Sequence, residues 1–306
     1  MAVVVSFADE AWRDDVGPID GVTPVIWDPD GEPPVEDVEV YVAPYGLGTD
    51  FVRPVAAKPS VRLVQLMSAG YDGVIEELPP GVALANGRGI HDAATAELAV
   101  ALTLASLRDI PDMVLAQARG EWLPKRFSTS LADRRVLIIG YGSIGRAIAA
   151  RMLPFETTVT AVASRARGGD DLVDRVYGID DLATLAPDHD VVVLVTPLTD
   201  STRGLAGESF LASLPDGALV VNVGRGPVLD TATALRHAGR LRFALDVTDP
   251  EPLPADHPLW TAPGVLIAPH VGGLASSFRS RAVRLIREQL RRVVAGEEPL
   301  NIVHAG

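Results

Sequence analysis

The stretch Arg135–Gly145, RVLIIGYGSIG, constrains this chain more than any other. The apolar run at 136–139 is long enough for a buried parallel strand and too short for a helix. It passes straight into Gly140-Tyr141-Gly142-Ser143-Ile144-Gly145, and residues 146–153 follow with helical composition up to Pro154. Strand, G-x-G-x-x-G and helix in that order predict the phosphate turn of a dinucleotide-binding fold. Each glycine has its own reason to be there. Gly140 permits the tight turn, Gly142 lets a pyrophosphate approach bare backbone, and Gly145 lets helix and strand pack closely. The helix start at Ser143 and Ile144 then offers N–H groups and the positive end of a dipole to phosphate.

Downstream, Val/Ile/Leu runs recur at 158–163, 191–195, 219–223, 243–247 and 265–268, with helix-competent segments at 144–153, 179–186, 207–213 and 231–238. Continuous apolar runs suit strands covered by helices on both faces, so this half reads as a doubly wound parallel sheet. Upstream, runs at 3–7, 25–27, 38–42, 63–67 and 82–85 alternate with turn signals such as Asp28-Pro29-Asp30-Gly31. Segments 9–15, 49–57 and 71–77 suit short helices, giving a smaller parallel α/β domain without its own phosphate loop. Between the halves, 92–108 is apolar nearly all round, with Asp92 as N-cap and Pro111 beyond its end. It is expected as a buried connector between two domains. The Arg-rich run 276–295 predicts one amphipathic helix returning to the first domain.

Two domains fit 306 residues. The net charge of −13 argues against nucleic-acid partners and anionic membranes. No cysteine is present, which excludes disulfides and thiolate catalysis. No apolar run approaches a membrane span, and the segment MAVVVSFADEAW lacks the basic start of a secretory signal. A soluble, cytoplasmic protein is the expectation.

The residue ending the second strand of such a domain selects the nucleotide. An acid there holds the ribose of NAD, whereas arginine accommodates the 2′-phosphate of NADP. Here the strand ends at Ala163 and Ser164-Arg165-Ala166-Arg167 follows, with no acid before Asp170. A hydroxyl and two guanidiniums suit a phosphate, so NADP(H) is expected over NAD(H), which stays possible. The plainer alternative is a solvated basic loop.

Three further groups each lie just past a strand end: Arg225 in NVGRGPVLD, Glu251 in DVTDPEPL and His270 in APHVGG. Singly they read as an ion pair, a turn residue and a core histidine. Together they occupy the edge where open α/β sheets bind ligands. With SAGYD at 68–72, TAEL at 95–98, TPLT at 196–199 and LDVTDPEPLPADHPLW, the chain resembles the D-isomer-specific 2-hydroxyacid dehydrogenases. That resemblance implies a Rossmann-type nucleotide domain, 93–275, inserted into a smaller flavodoxin-like substrate domain, 1–92 plus 276–306. It implies Arg225 as the substrate-binding and polarising residue, Glu251 as the partner of the histidine and His270 as acid/base. It also implies Ala69 and Gly70 as backbone donors to the substrate carboxylate. Thr95 and Asp246 match positions contacting the nicotinamide carboxamide, and Thr196, Pro197, Val223, His270 and Gly272 line the nucleotide. Two departures stand out: the missing acid after the second strand, and Glu156 where the family commonly has glycine. The first, with the short length, is most similar to NADP-dependent glyoxylate and hydroxypyruvate reductases acting on a small 2-keto acid. Other expectations are an NAD-dependent enzyme for phosphoglycerate or phosphite, or a nucleotide-sensing corepressor-like protein. A homodimer is implied by the resemblance alone.

Overall fold

The computed structural model describes residues 2–28, 30–35, 37–46 and 48–306. The chain divides into two units, Met1–His91 with Ser276–Gly306, and Asp92–Ala275. The turn read at 28–31 includes Pro29, which lies outside the described residues.

In chain order the first unit contributes β1 (Val3–Phe7), α1 (Glu10–Val16), β2 (Val22–Ile26), β3 (Val40–Val42), α2 (Val52–Ala56), β4 (Leu63–Gln65), α3 (Val74–Glu77) and β5 (Ala83–Ala85). The second holds α4 (Asp92–Leu107), α5 (Ile110–Ala118), β6 (Arg135–Ile139), α6 (Ser143–Met152), β7 (Thr158–Ala163), β8 (Arg167–Gly168) and β9 (Arg175–Gly178). It continues through α7 (Leu182–Leu185), β10 (Val191–Leu194), α8 (Glu208–Ser213), β11 (Leu219–Asn222), α9 (Thr231–His237), β12 (Arg242–Leu245) and β13 (Val265–Ile267). The chain then returns to the first unit as α10 (Ser277–Ala295) and β14 (Ile302–His304).

The first sheet has the order β14-β5-β4-β3-β1-β2. It is parallel except for β14, which runs antiparallel to β5, so the wholly parallel sheet expected there is corrected at its edge. The apolar stripe of α10 (Ala282, Ile286, Leu290, Val293) packs with Val5, Phe7, Val40, Val42 and Leu63.

The second sheet has the order β13-β12-β11-β10-β6-β7-β9-β8. Successive residues of a strand point to opposite faces, and the packing follows that rule. Val136, Ile138, Val191, Val193, Leu219 and Val221 join one core with α4 and α6. Leu137, Ile139, Val192, Leu194, Val220 and Phe243 join another with α8 and α9. Both faces are covered, which is why these strands are apolar throughout.

α4 lies in the second unit, packed on its sheet. Several local expectations change. Asp92 is the first helical residue of α4 rather than an N-cap and accepts from Ser143 Oγ at 3.2 Å. Pro111 lies beyond the end of α4 at Leu107 and also opens the next helix. It stands in the first turn of α5, where a missing N–H costs nothing. α6 ends at Met152, Pro154 sits in a 3₁₀ turn at Leu153–Phe155, and Glu156 is left-handed at φ +62°. The loop read after Ala163 instead becomes a hairpin, with Arg167 paired to Val176.

Candidate active site

The strand order reverses between β6 and β10, the switch point where open α/β sheets bind ligands. β6 runs into Gly140, whose φ of +111° favours glycine. A Cβ there would lie 2.6 Å from the carbonyl carbon of Val195, and one on Gly145 would lie 2.2 Å from the carbonyl oxygen of Gly140. Gly142 is different, because no atom of the described residues stands within 4 Å of its Cβ position. Among the described residues no side chain caps α6, so the first-turn N–H groups around Ser143 and Ile144 remain for a ligand. At the neighbouring strand end the Thr196 hydroxyl is buried without a hydrogen-bond partner among the described residues. The Pro197 carbonyl accepts from Thr202 Oγ1 at 2.7 Å, and the Val223 N–H donates to Leu194 O at 3.0 Å, fixing both turns. Open backbone, an uncapped helix start and an orphaned hydroxyl together fit a dinucleotide pyrophosphate.

Past β7, Ser164 and Arg165 are exposed. Arg165 makes no hydrogen bond or ion pair among the described residues. Arg167 instead donates to the Tyr141 carbonyl at 2.6 Å. Asp170 is fully engaged. It accepts from Tyr141 Oη at 3.1 Å, Arg146 Nε at 3.1 Å and the N–H groups of Leu172 and Val173 at 2.9 and 3.2 Å. These bonds outweigh its partial desolvation and hold its carboxyl below the usual range. Burial, with Asp170 beside it, pushes Tyr141 up to about 12.

Arg225, Glu251 and His270 follow the carboxyl ends of β11, β12 and β13, three adjacent strands of one sheet. Each sits on a built turn. Asn222, fully buried, accepts from Gly224 N at 3.1 Å and donates Nδ2 to Arg225 O at 2.9 Å. The Arg225 Nη1 donates to Gly224 O at 2.8 Å. Gly226 admits no side chain, since a Cβ would lie 1.8 Å from Thr248 O. Thr248 Oγ1 in turn donates to Pro250 O at 2.8 Å, next to Glu251. Backbone bonds tie the strand ends together, Asp246 N to Asn222 O at 2.9 Å and His270 N to Asp246 O at 2.8 Å.

His270 has φ +52°, a left-handed conformation that costs a non-glycine residue roughly 1–3 kcal/mol. The buried Asp246 holds it there. Its two carboxylate oxygens accept from Val271 N and Gly272 N, each at 2.8 Å. Gly272 is required, because a Cβ would lie 2.8 Å from Asp246 Oδ2, and its carbonyl accepts from Thr95 Oγ1 at 3.2 Å. The His270 Nδ1 is hydrogen-bonded to Glu251 Oε1. Both side chains keep solvent contact, 48% and 40% exposed, so Nε2 can face a small ligand. An oriented imidazole on one strand end and a guanidinium two strands away suit proton delivery to an anionic substrate.

In the first unit, Ala69 and Gly70 lie in the loop after β4. Asn86 Nδ2 donates to Ala69 O at 2.8 Å, and Ser68 Oγ to Gly70 O at 2.8 Å. Their N–H groups donate to nothing among the described residues. Asn222 and Tyr141 have roles in the site that the motifs alone do not assign. Asparagine closing a strand, with a glycine two positions later, is the Asx-turn signal that marks Asn222.

Residues 100–272 match the D-isomer specific 2-hydroxyacid dehydrogenase NAD-binding domain. The chain is 31% identical over 300 residues to the glyoxylate reductase of Aeropyrum pernix, spanning 91% of this chain and 89% of that protein. It is 31% identical over 251 residues to the glyoxylate reductase/hydroxypyruvate reductase of Mus musculus, 79% and 76% of the two chains. The D-isomer specific 2-hydroxyacid dehydrogenase from Xanthobacter autotrophicus Py2, solved with NADPH and MES, superposes with a TM-score of 0.80 at 29% identity. That match covers 99% of this chain and 98% of the other. The chain belongs to the D-isomer-specific 2-hydroxyacid dehydrogenases, a family of NAD(P)-dependent oxidoreductases.

Proposed function

We propose that the protein reduces a small 2-keto acid of the glyoxylate/hydroxypyruvate type to the D-2-hydroxy acid, with NADP(H) preferred over NAD(H). The His270–Glu251 pair, anchored by Asp246 on the strand edge that also carries Arg225, is the observation that carries this reading. Ala69 and Gly70 offer N–H groups to the substrate carboxylate, and Arg225 neutralises charge on the carboxylate and the carbonyl oxygen. His270 donates its Nε2 proton to the developing alkoxide as Glu251 holds Nδ1. Gly140, Gly142, Ser143, Ile144 and Gly145 hold the pyrophosphate, with Thr196, Pro197 and Val223 along the nucleotide. Ser164, Arg165 and Arg167 form the adenosine side, and Thr95, Asp246, His270 and Gly272 the nicotinamide end. Bound NADPH supplies the hydride. The basic turn at 164–167 in place of an acid, and the NADPH in the Xanthobacter relative, support the cofactor preference.

The test is turnover of glyoxylate, hydroxypyruvate, pyruvate and bulkier keto acids with NADPH and NADH. His270→Ala is expected to lose about 10²–10⁴-fold in kcat while still binding cofactor. Wild-type turnover in that variant would refute the role.

A homodimer belongs to the same reading. α5 exposes Ile110, Met113, Val114 and Leu115, and beyond it Trp122 and Phe127 are 93% and 106% exposed. Yet the segment is pinned, with Arg126 on Asp112 at 2.8 Å and Thr129 N on Leu107 O at 3.2 Å. Six such side chains present on the order of 800 Å², roughly one partner's share of a standard interface. The occupant proposed is a second copy of the chain. Light scattering on Trp122→Ser/Phe127→Ser should report a monomer and on wild type a dimer.

A further inference from the structure

The basic turn after β7 carries two arginines, and they differ in what they hold. Arg165 is exposed and engages nothing among the described residues, whereas Arg167 is spent on the Tyr141 carbonyl at 2.6 Å. Tyr141 is the second residue of the glycine loop, between Gly140 and Gly142. Its other end is also held, the phenol donating to the Asp170 carboxylate at 3.1 Å. Arg167 and Asp170 come from one hairpin, whose tight turn needs Gly169 because a Cβ would lie 1.9 Å from Val173 O. That hairpin is tied to the sheet by pairing of β9 with β7. Asp170 also takes Arg146 of α6 at 3.1 Å, so the hairpin grips the loop and the helix that follows it.

We infer that Arg167 and Asp170 are positioning residues, which clamp Tyr141 by its carbonyl and its hydroxyl, and that discrimination between NADP and NAD falls on Arg165. This rests on the NADPH reading above. The physical reason is the rigidity of the peptide unit. Fixing the Tyr141 carbonyl fixes the whole plane to Gly142, and with it the backbone that a pyrophosphate must meet. The pyrophosphate is common to both dinucleotides, so the clamp serves both equally. A 2′-phosphate occurs only in NADP(H), and Arg165, whose guanidinium has no partner among the described residues, is the one available to pair with it.

Calorimetric titration of NADPH and NADH into the protein separates the roles. Arg165→Ala should raise the NADPH Kd about 10–100-fold, as expected for losing a hydrogen bond to a charged group, with the NADH Kd nearly unchanged. Arg167→Ala should raise both Kd values by a similar factor of roughly ten, leaving their ratio near wild type. Asp170→Asn reads the other end of the clamp and should likewise leave the ratio intact. Arg167→Lys keeps the charge and loses the planar fork, so it should resemble Arg167→Ala. A selective loss of NADPH binding in Arg167→Ala, partly restored by lysine, would overturn the clamp. If the wild type binds NADH more tightly, the NADPH reading fails, whereas equal weakening by Arg167→Ala still upholds the clamp.

Discussion

Replacing Asp246 with asparagine should damage the reaction without touching any of the three residues assigned to it. The carboxylate is buried and accepts one N–H on each oxygen, from Val271 and Gly272 at 2.8 Å. Asparagine preserves the shape but presents one oxygen and one NH₂ group. One backbone N–H then faces a donor, and the other loses a charge-assisted partner. Hydrogen bonds to charged groups contribute about 1.5–3 kcal/mol each, and an unsatisfied buried donor costs about 1–3 kcal/mol. A stability loss of roughly 2–4 kcal/mol follows, read as a lower denaturant midpoint at unchanged slope. The larger effect is local. The strained backbone of His270 persists only because its surroundings over-determine it, and relaxation would carry the imidazole away from Glu251. A displacement of about 1 Å in a positioned group costs on the order of 10²-fold in rate. Asp246→Asn should therefore lose about that much kcat for the best keto acid under conditions where it remains folded. Folded protein with kcat close to wild type would refute the idea that Asp246 sets the histidine.

Three further outcomes concern residues other than the catalytic side chains. Gly226→Ala drives a Cβ to 1.8 Å from Thr248 O, so a loss of more than about 3 kcal/mol, seen as insoluble or thermally fragile protein, is expected. Glu156→Gly removes a left-handed side chain at φ +62° and should raise stability by about 0.5–1 kcal/mol in denaturant unfolding. His189 is pulled below the ordinary histidine range by burial, while its bond to Leu185 O at 2.7 Å opposes this. The unfolded chain binds that proton more readily, so the stability is present above the unfolded pKa of about 6.5 and is lost as pH falls through the folded value. Denaturant midpoints from pH 7.5 to 5 should therefore fall less steeply in His189→Gln than in wild type.

The glycine loop and the three strand-end residues were legible because their chemistry depends on short local order: strand, then turn, then the reactive side chain. The same locality explains what was not legible. Asp170 looked too far from Ala163 to matter, yet the β8–β9 hairpin folds it back onto Tyr141. Strands of two and four residues carry no periodicity to read. Pro111 has two meanings, stop and start, and α5 adds the second to the first. Family likeness gives Asp246 only as a nicotinamide contact. That it also builds the histidine turn depends on two N–H groups some 25 residues downstream, a pairing no local pattern announces.

The first unit is written in two pieces, and that ordering has a consequence for synthesis. Its sheet emerges from the ribosome early, but the helix covering Val5, Phe7, Val40 and Val42 is α10, and β14 completes the edge beside β5. The buried Gln289 of α10 also closes the interior, donating to Gln65 Oε1 at 2.6 Å. Until those residues exist, the nascent amino-terminal segment carries an uncovered apolar face through the whole translation of the second unit. That second unit is continuous and is free to fold first as an independent body. Nascent chains stalled before Ser276 should accordingly be protease-resistant in the second unit and chaperone-bound in the first, reversing the usual amino-to-carboxyl order of maturation.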